Sequence, residues 1–531
     1  MKLKQVYQLH RKASLIIAIP VLIWAISGFM HPIMSTIRPQ VTTQFISANA
    51  IEAQAIKTPL AQALTINKID SFKTFRFVQI ADNWFYQIQL LGSEEIVYLS
   101  TINGMKLING DQLYAQYLAR IFLEGGAKMG KSQPINTPVS ENAESIKDCC
   151  EVTTTAVLNS RSGAQIKSIS PLKNFDDEYR SINKLLPVYK IAFDRKDSIK
   201  IFVETSQNRF AFAVDHKRAL FSKFFTLLHN WEWLNFLGNG RLLVELLFVG
   251  LTFLTSCLGI YLFFTTGSKR VKDNDLVRTR RNHRYSAIVI AIFTLMFSFS
   301  GFYHAFGKFE KDTRDQFYSK ATFQTNDIDL NFDSIQNLIQ KPIANLSLVK
   351  IKEDIYYQIT LKSQKPFGKT KPNDLMKEMN VPRPVIEYVN AKDFSILEHG
   401  DKSYAHYLAN TFSGQSEKSI RSDTLITKFT GEYGFVNKRL PVWRVSYSTN
   451  EHDTYYVETS SGKLAARIND VTLREATSFN FLHKHHFMDF AGKEVRDFST
   501  MFWAMAQIML VAIGLLLFYK SNKIRKINLK K

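Results

Sequence analysis

Cysteine is almost missing from this chain of 531 residues, which holds three. Cys149 and Cys150 are adjacent, and Cys257 lies inside an apolar run. That excludes a disulfide framework and a four-thiolate iron–sulfur cluster. No GxGxxG follows a strand-like run and no Walker loop is present, so no nucleotide-binding domain is expected. No HExxH and no Ser/His/Asp order points to hydrolysis. Acidic residues are scarce too: 47 against 68 basic ones, a net charge of +21. The surplus is localised. Residues 1–12, 266–284 and 520–531 carry 17 basic and two acidic residues, or +15 of the +21. Charge packed into three short segments argues against a nucleic-acid partner.

Each basic segment flanks a long apolar run, at about 13–34, 242–264, 285–303 and 500–519. Each run approaches the roughly 20 residues that cross a bilayer as a helix. Basic residues mark cytoplasmic ends. The expected topology puts both termini and the 266–284 loop in the cytoplasm, with 35–240 and 306–498 outside. The resulting division is 1–12, span 13–34, outer domain 35–240, span 241–265, loop 266–284, span 285–305, outer domain 306–498, span 499–519 and tail 520–531. No small-x-small site follows the first run, so it reads as an uncleaved signal anchor.

The chain repeats itself. His10 and His31 bracket the first run, and His283 and His304 bracket the third, both offset by 273. Ser27-Gly28-Phe29 recurs as Ser300-Gly301-Phe302. Gly110-Asp111 with Tyr114 and Tyr117 recurs as Gly400-Asp401 with Tyr404 and Tyr407. Leu186-Pro187-Val188, Val203-Glu204-Thr205-Ser206 and Leu228-His229 recur 254 residues on, ending at Leu482-His483. Arg241 and Gly259 match Arg496 and Gly514. The expected architecture is an internal duplication: span, outer domain, span, twice. The outer domains read as α+β. Residues 84–90, 355–361 and a hairpin over 454–468 with Gly462 at its turn suit strands. Residues 111–122 and 402–412 have helical spacing, and 130–148 reads as a polar loop.

An imidazole inside a membrane needs a partner or water. On a straight helix His10 and His31 stand about 31 Å apart, near the thickness of the hydrocarbon. If the first and third spans are neighbours, His10 faces His283 and His31 faces His304. Each pair suits the two axial positions of a haem, and without CxxCH such haems are b-type, held by ligands and packing. His229 and His483 offer other pairings, His31 with His483 and His304 with His229, or a further haem, or a substrate contact. The plainer readings are interfacial or helix-end histidines kept by descent. His485 and His486 add a local cluster with weak metal-binding potential. Trp24 could relay electrons, Glu245 could pair with Arg241 one turn away, and the four repeated tyrosines suit a core better than an acceptor site. No flavin or nicotinamide domain fits a loop of under 20 residues, so electrons would come from membrane quinol or a separate donor.

His10-Arg11 before the first span, the repeated His283-Arg284, the strand–turn–Gly–strand units and the Leu-His segments before the second and fourth spans resemble the PepSY-associated transmembrane family. The resemblance covers nearly the whole chain. It implies a four-span bundle in a bacterial inner membrane with two small periplasmic α+β PepSY-like domains. Some members resemble periplasmic ferri-siderophore reductases, which would make the acceptor a ferric siderophore or another ferric chelate. PepSY modules also resemble inhibitory propeptides, so the second expectation is an anchored regulator of an extracytoplasmic protease. A siderophore permease fits four spans poorly. The chain departs from the pattern at His483-Lys484-His485-His486, where the first half has His229-Asn230-Trp231-Glu232.

Overall fold

A computed structural model describes residues 2–46, 48–93, 95–124, 164–268, 274–309, 313–328, 331–363 and 380–528. The 130–148 loop and Cys149-Cys150 lie outside the described residues. The chain divides into two compact units. One holds Met1–Arg38, Lys217–Asp312 and Asp470–Lys531, and the other holds Pro39–His216 and Thr313–Asn469.

The first unit contains the apolar runs. They form helices over Leu3–Thr36, Gly240–Thr265, Asp275–Gly307 and Lys493–Asn528, and all four are long and apolar enough to cross a membrane. Large apolar side chains stay exposed along them, among them Ile19, Leu243, Leu247 and Phe264. That is the surface lipid requires, since hydrocarbon places no penalty on it. This is a multi-pass membrane protein whose partner is a lipid bilayer. The helices outrun the apolar segments. The third begins ten residues before 285, because basic residues tolerate a helix once past the hydrocarbon.

The first helix packs against the second and fourth, and so does the third. The first and third are therefore diagonal across the bundle. The condition that they are neighbours is not met: helical spacing along the sequence says which face is apolar, not which helix covers it. The stretches 217–240 and 470–498, given to the outer domains by sequence, group with the helices instead. They fold as a helix over His216–His229 and as a helix over Asp470–Ser478 that tightens into a π turn over Phe479–His483.

The second unit holds four antiparallel sheets among the described residues. One is β3-β2-β1-β8, from Ile96–Ser100, Asn83–Leu90, Ser71–Ile80 and Phe323–Gln324. Another is β11-β10-β9, from Ile386–Asn390, Asp354–Leu361 and Ile343–Ile351. The other two run in chain order from edge to edge. They are β4 to β7 (Ile166–Leu172, Val188–Phe193, Lys200–Glu204, Arg209–Val214) and β12 to β15 (Ile420–Ile426, Val442–Tyr447, Thr454–Glu458, Lys463–Ile468). The expected strands at 84–90, 355–361 and 454–468 are all present, as are helices over Gly110–Glu124 and Gly400–Ser413. Gly462 turns the hairpin at φ +64, and a Cβ there would stand 2.9 Å from Ser319 Cβ. Tyr114 and Tyr404 are buried core.

A buried charge cluster ties the β4–β7 and β12–β15 sheets. Arg439 bonds Glu458 at 2.8 Å and lies 3.4 Å from Glu204, and Arg209 bonds Glu204 at 2.6 Å and also bonds Glu458. Burial opposes ionisation of Glu204, but Arg439 and Arg209 outweigh it and hold its carboxyl at about 2. Pairing of this kind is what lets a carboxylate remain charged inside a protein.

Candidate functional site

The six histidines singled out from sequence all fall in the helical unit, and the structure sorts them into two groups. His10 and His283 belong to the diagonal helices and lie close enough for a charge on one to be felt by the other. His10 Nδ1 lies 3.2 Å from the Thr255 carbonyl oxygen on the second helix. A carbonyl only accepts, so Nδ1 carries the proton and Nε2 keeps its lone pair. The ring rests on Gly259, where a Cβ would stand 3.2 Å from His10 Cε1. His283 rests in the same way on Gly514 of the fourth helix, with 3.5 Å from that Cβ to its Cε1. Small residues are what let one membrane helix receive a ring from another at this range. His283 Nδ1 is buried with no hydrogen-bond partner among the described residues.

The second group is nearer the other end of the bundle. The rings of His229 and His483 have centroids 6.3 Å apart and planes at 83°. His229 Nδ1 is 3.0 Å from Ser27 Oγ, and His483 Nδ1 is 3.2 Å from Ser300 Oγ. Both serines are within donating reach of the helix behind them, Ser27 of Ile23 O at 2.8 Å and Ser300 of Met296 O at 2.7 Å. With the hydroxyl protons assigned there, each serine oxygen accepts from the imidazole, the proton is on Nδ1, and Nε2 carries the lone pair. Burial, and then neighbouring His31, hold His229 down to about 3. Burial and then His229 lower His483 as well. Both rings are neutral near pH 7, the form that ligates metal.

His31 and His304 flank this pair without meeting in it. Phe225 lies 5.2 Å from His31 and stacks on His229 at 4.6 Å. Phe479 stacks on His304 at 4.3 Å and on His483 at 4.7 Å. His304 Nδ1 donates to Glu475 Oε1 at 2.6 Å. Of the pairings open from sequence, His31 with His304, His31 with His483 and His304 with His229, none shows a ring contact like that of His229 with His483 among the described residues. A phenylalanine one helical turn before each of these two takes up the space between. Gly28 has nothing within 4 Å of a Cβ, and Gly301 meets His483 Cε1 at 3.9 Å.

The remaining candidates separate. His485 is fully buried, with Nδ1 3.0 Å from Ser499 Oγ, whereas His486 bonds Asp489 at 2.7 Å. Among the described residues no three His, Cys, Asp or Glu gather as a metal cage. Trp24 donates Nε1 to the His229 carbonyl at 3.1 Å and stacks on Trp231 at 4.8 Å. Glu245 reaches Arg241 at 3.9 Å.

Sequence reasoning passed over the groups that orient the rings. Ser27 and Ser300 stand inside the repeated motif, and Phe225 and Phe479 are 254 residues apart, so repetition could have found them. Glu475 corresponds to Phe221 and carries no such signal.

Two neutral imidazoles with centroids 6.3 Å apart, each with its second nitrogen beside a hydroxyl, are a donor set that would suit a metal ligated by histidine. His10 and His283 offer the same chemistry. The chain matches the PepSY-associated TM region over residues 7–520. No similar protein was found among those with curated descriptions. A match over nearly the full length, on a chain with four membrane-crossing helices, places this protein in the PepSY-associated TM family.

Proposed function

We propose that this protein is a haem-bearing membrane oxidoreductase that passes electrons outward to a ferric chelate, such as a ferric siderophore. The observation that carries the reading is the His229–His483 pair, with ring centroids 6.3 Å apart and each Nδ1 beside a serine hydroxyl. His229 and His483 hold an outer haem b, and His10 and His283 hold an inner one. A bound haem supplies a one-electron store at each pair. Ser27 and Ser300 orient the outer rings, Thr255 orients His10, and Gly259 and Gly514 make room for the inner rings. His31 and His304 lie behind the phenylalanines as neighbours of the outer site.

This assignment eases a problem of distance. His10 and His31 are about 31 Å apart along the helix, but Ser27, which holds the outer ligand, is 17 residues from His10, a rise of about 26 Å. The Trp24–Trp231 stack lies within that interval. Electrons come from membrane quinol or a separate donor. Reduction loosens the chelate, because Fe(II) is softer and less suited to hard oxygen ligands than Fe(III).

The wider reading follows from charge and repetition. The protein sits in a bacterial inner membrane, with its basic ends in the cytoplasm and its sheets periplasmic, and its halves arose by duplication as two PepSY-like domains. The test is the reduced-minus-oxidised spectrum of the purified chain. Two bis-histidine haems are expected. His229→Ala and His483→Ala should each lose one, and His10→Ala and His283→Ala the other, while His31→Ala and His304→Ala keep both. A folded, colourless preparation under excess haem that captures a peptidase would favour the regulator instead.

A further inference from the structure

The helix Gly110–Glu124 and strand β4 line an open groove of about 290 Å³. Its polar lining is Gln112, Gln116, Arg120, Gln165, Lys167 and Ser168. Gln112, Gln116 and Arg120 are successive turns of one helix face. Arg120 is 3% exposed, and its Nε and Nη1 are buried with no hydrogen-bond partner among the described residues. A guanidinium cannot shed its proton, so its charge stays in place with donors unmade, and that is costly unless something supplies an anion. The lining contains no carboxylate. Glu124, one turn further on, accepts the Ala164 N–H at 2.8 Å.

The corresponding place in the second half is complete in itself. Lys402, His406 and Asn410 stand where the first half has Gln112, Gln116 and Arg120, and Asp423 stands where it has Ile169. Lys402 reaches Asp423 at 3.0 Å, and His406 lies 3.2 Å from Glu417 and 3.3 Å from Asp423. Asn410 accepts from Tyr447 at 2.7 Å. Strands β4 and β12 even share a register shift after their first pair, at Ile166/Ser168 and Ile420/Ser422. On the same scaffold, one half closes the position with its own acids and the other replaces the acid with isoleucine and adds a buried cation.

We propose that the groove of the first half is a binding site for a small hydroxycarboxylate anion, with Arg120 pairing its carboxylate. A groove of this size is at the lower end of ligand sites and suits a metabolite-sized molecule. The arginine fork matches a carboxylate, Lys167 adds charge at the mouth, and the glutamine amides and Ser168 can both donate to and accept from hydroxyl groups. The site is independent of the redox reading, since none of its residues belongs to the helical unit.

The test is calorimetric titration of citrate into the full-length chain in detergent, with inorganic phosphate as the comparison. Citrate should bind one to one, weaken as ionic strength rises, and outbind phosphate. Arg120→Gln should weaken citrate by about tenfold or more, the usual cost of losing a hydrogen bond to a charged group, and Lys167→Gln by less. Arg120→Gln should also raise the melting temperature of the unliganded protein, because it removes an unmatched charge. If Arg120→Gln does not fold, Arg120→Lys takes its place and should retain the charge but lose most of the affinity. Absence of citrate binding, citrate affinity unchanged in the Arg120 variants, or phosphate binding as tightly as citrate would each overturn the proposal.

Discussion

At Trp231 and at His485 the chain makes the same left-handed corner, with φ of 47° and 54°, and puts a different ring into it. In the first half Trp231 stacks on Trp24 at 4.8 Å; in the second, His485 stacks on Phe297 at 5.2 Å. Two residues before each corner the halves agree, His229 on Ser27 and His483 on Ser300. Packing asks for volume and shape, and several rings supply them. On the proposed reading, two imidazoles that share one iron need the same reach and the same available nitrogen on both sides. The comparison teaches that the tightly matched positions are those that orient ring nitrogens, while the surroundings are free to differ. His31 and His304 fall on the looser side: His304 is held by Glu475, and the first half has Phe221 there.

Substitutions in both halves test how far the match between them goes. The largest effect is expected at the matched pair. His229→Ala and His483→Ala should each remove the whole outer haem signal, and to the same extent. Loss in one variant and retention in the other, read from absorbance spectra, would break the pairing. Next is Arg439→Leu, which gives the second half the residue of the first, Leu185. It leaves Glu204 and Glu458 to share Arg209 alone and should cost up to about 3–5 kcal/mol, measured by denaturant unfolding.

The same cluster sets an acid limit. A carboxyl held at about 2 in the folded protein, against an ordinary value of about 4.3, stabilises above the ordinary value. That stability is lost as pH falls through 4 toward 2. Melting curves across that window should drop steeply for the natural chain and more gently for Arg439→Leu. A smaller effect is expected from Glu475→Gln, about 1–3 kcal/mol at most. It should appear as a changed midpoint potential of the outer site, with both haems retained, while Phe221→Leu leaves the potential alone. The smallest concerns the glycines under the inner rings. Gly259→Ala should lower inner haem occupancy more than Gly514→Ala, because the added methyl stands 3.2 Å from one ring and 3.5 Å from the other. Equal losses would mean that the two notches do not differ in use.

Much of this was legible beforehand. Hydropathy located the four helices, and aromatic and β-branched content located the strands at 84–90 and 355–361. Glycine and serine at 459–462 located the hairpin turn. Repetition brought out His229 and His483 alongside the four span histidines. The ends of elements were less legible, since a helix that leaves the hydrocarbon continues until a turn stops it. Glu475 was invisible because nothing repeats it. Arg120 read as an ordinary helical residue, because only its burial and its unmade hydrogen bonds single it out.

The order of residues along this chain was enough to establish a membrane protein with four crossings, a doubled pattern and imidazoles set at matching places. The crossings follow from a local rule, that lipid selects apolar length, and the repeat is read directly from the residues. Which imidazole meets which was decided only in three dimensions. The first and third helices turned out diagonal, and Phe225 and Phe479 fill the space beside His31 and His304. Periodicity says which way a side chain points from its own axis, but its partner depends on where the other axes stand, and packing alone settles that.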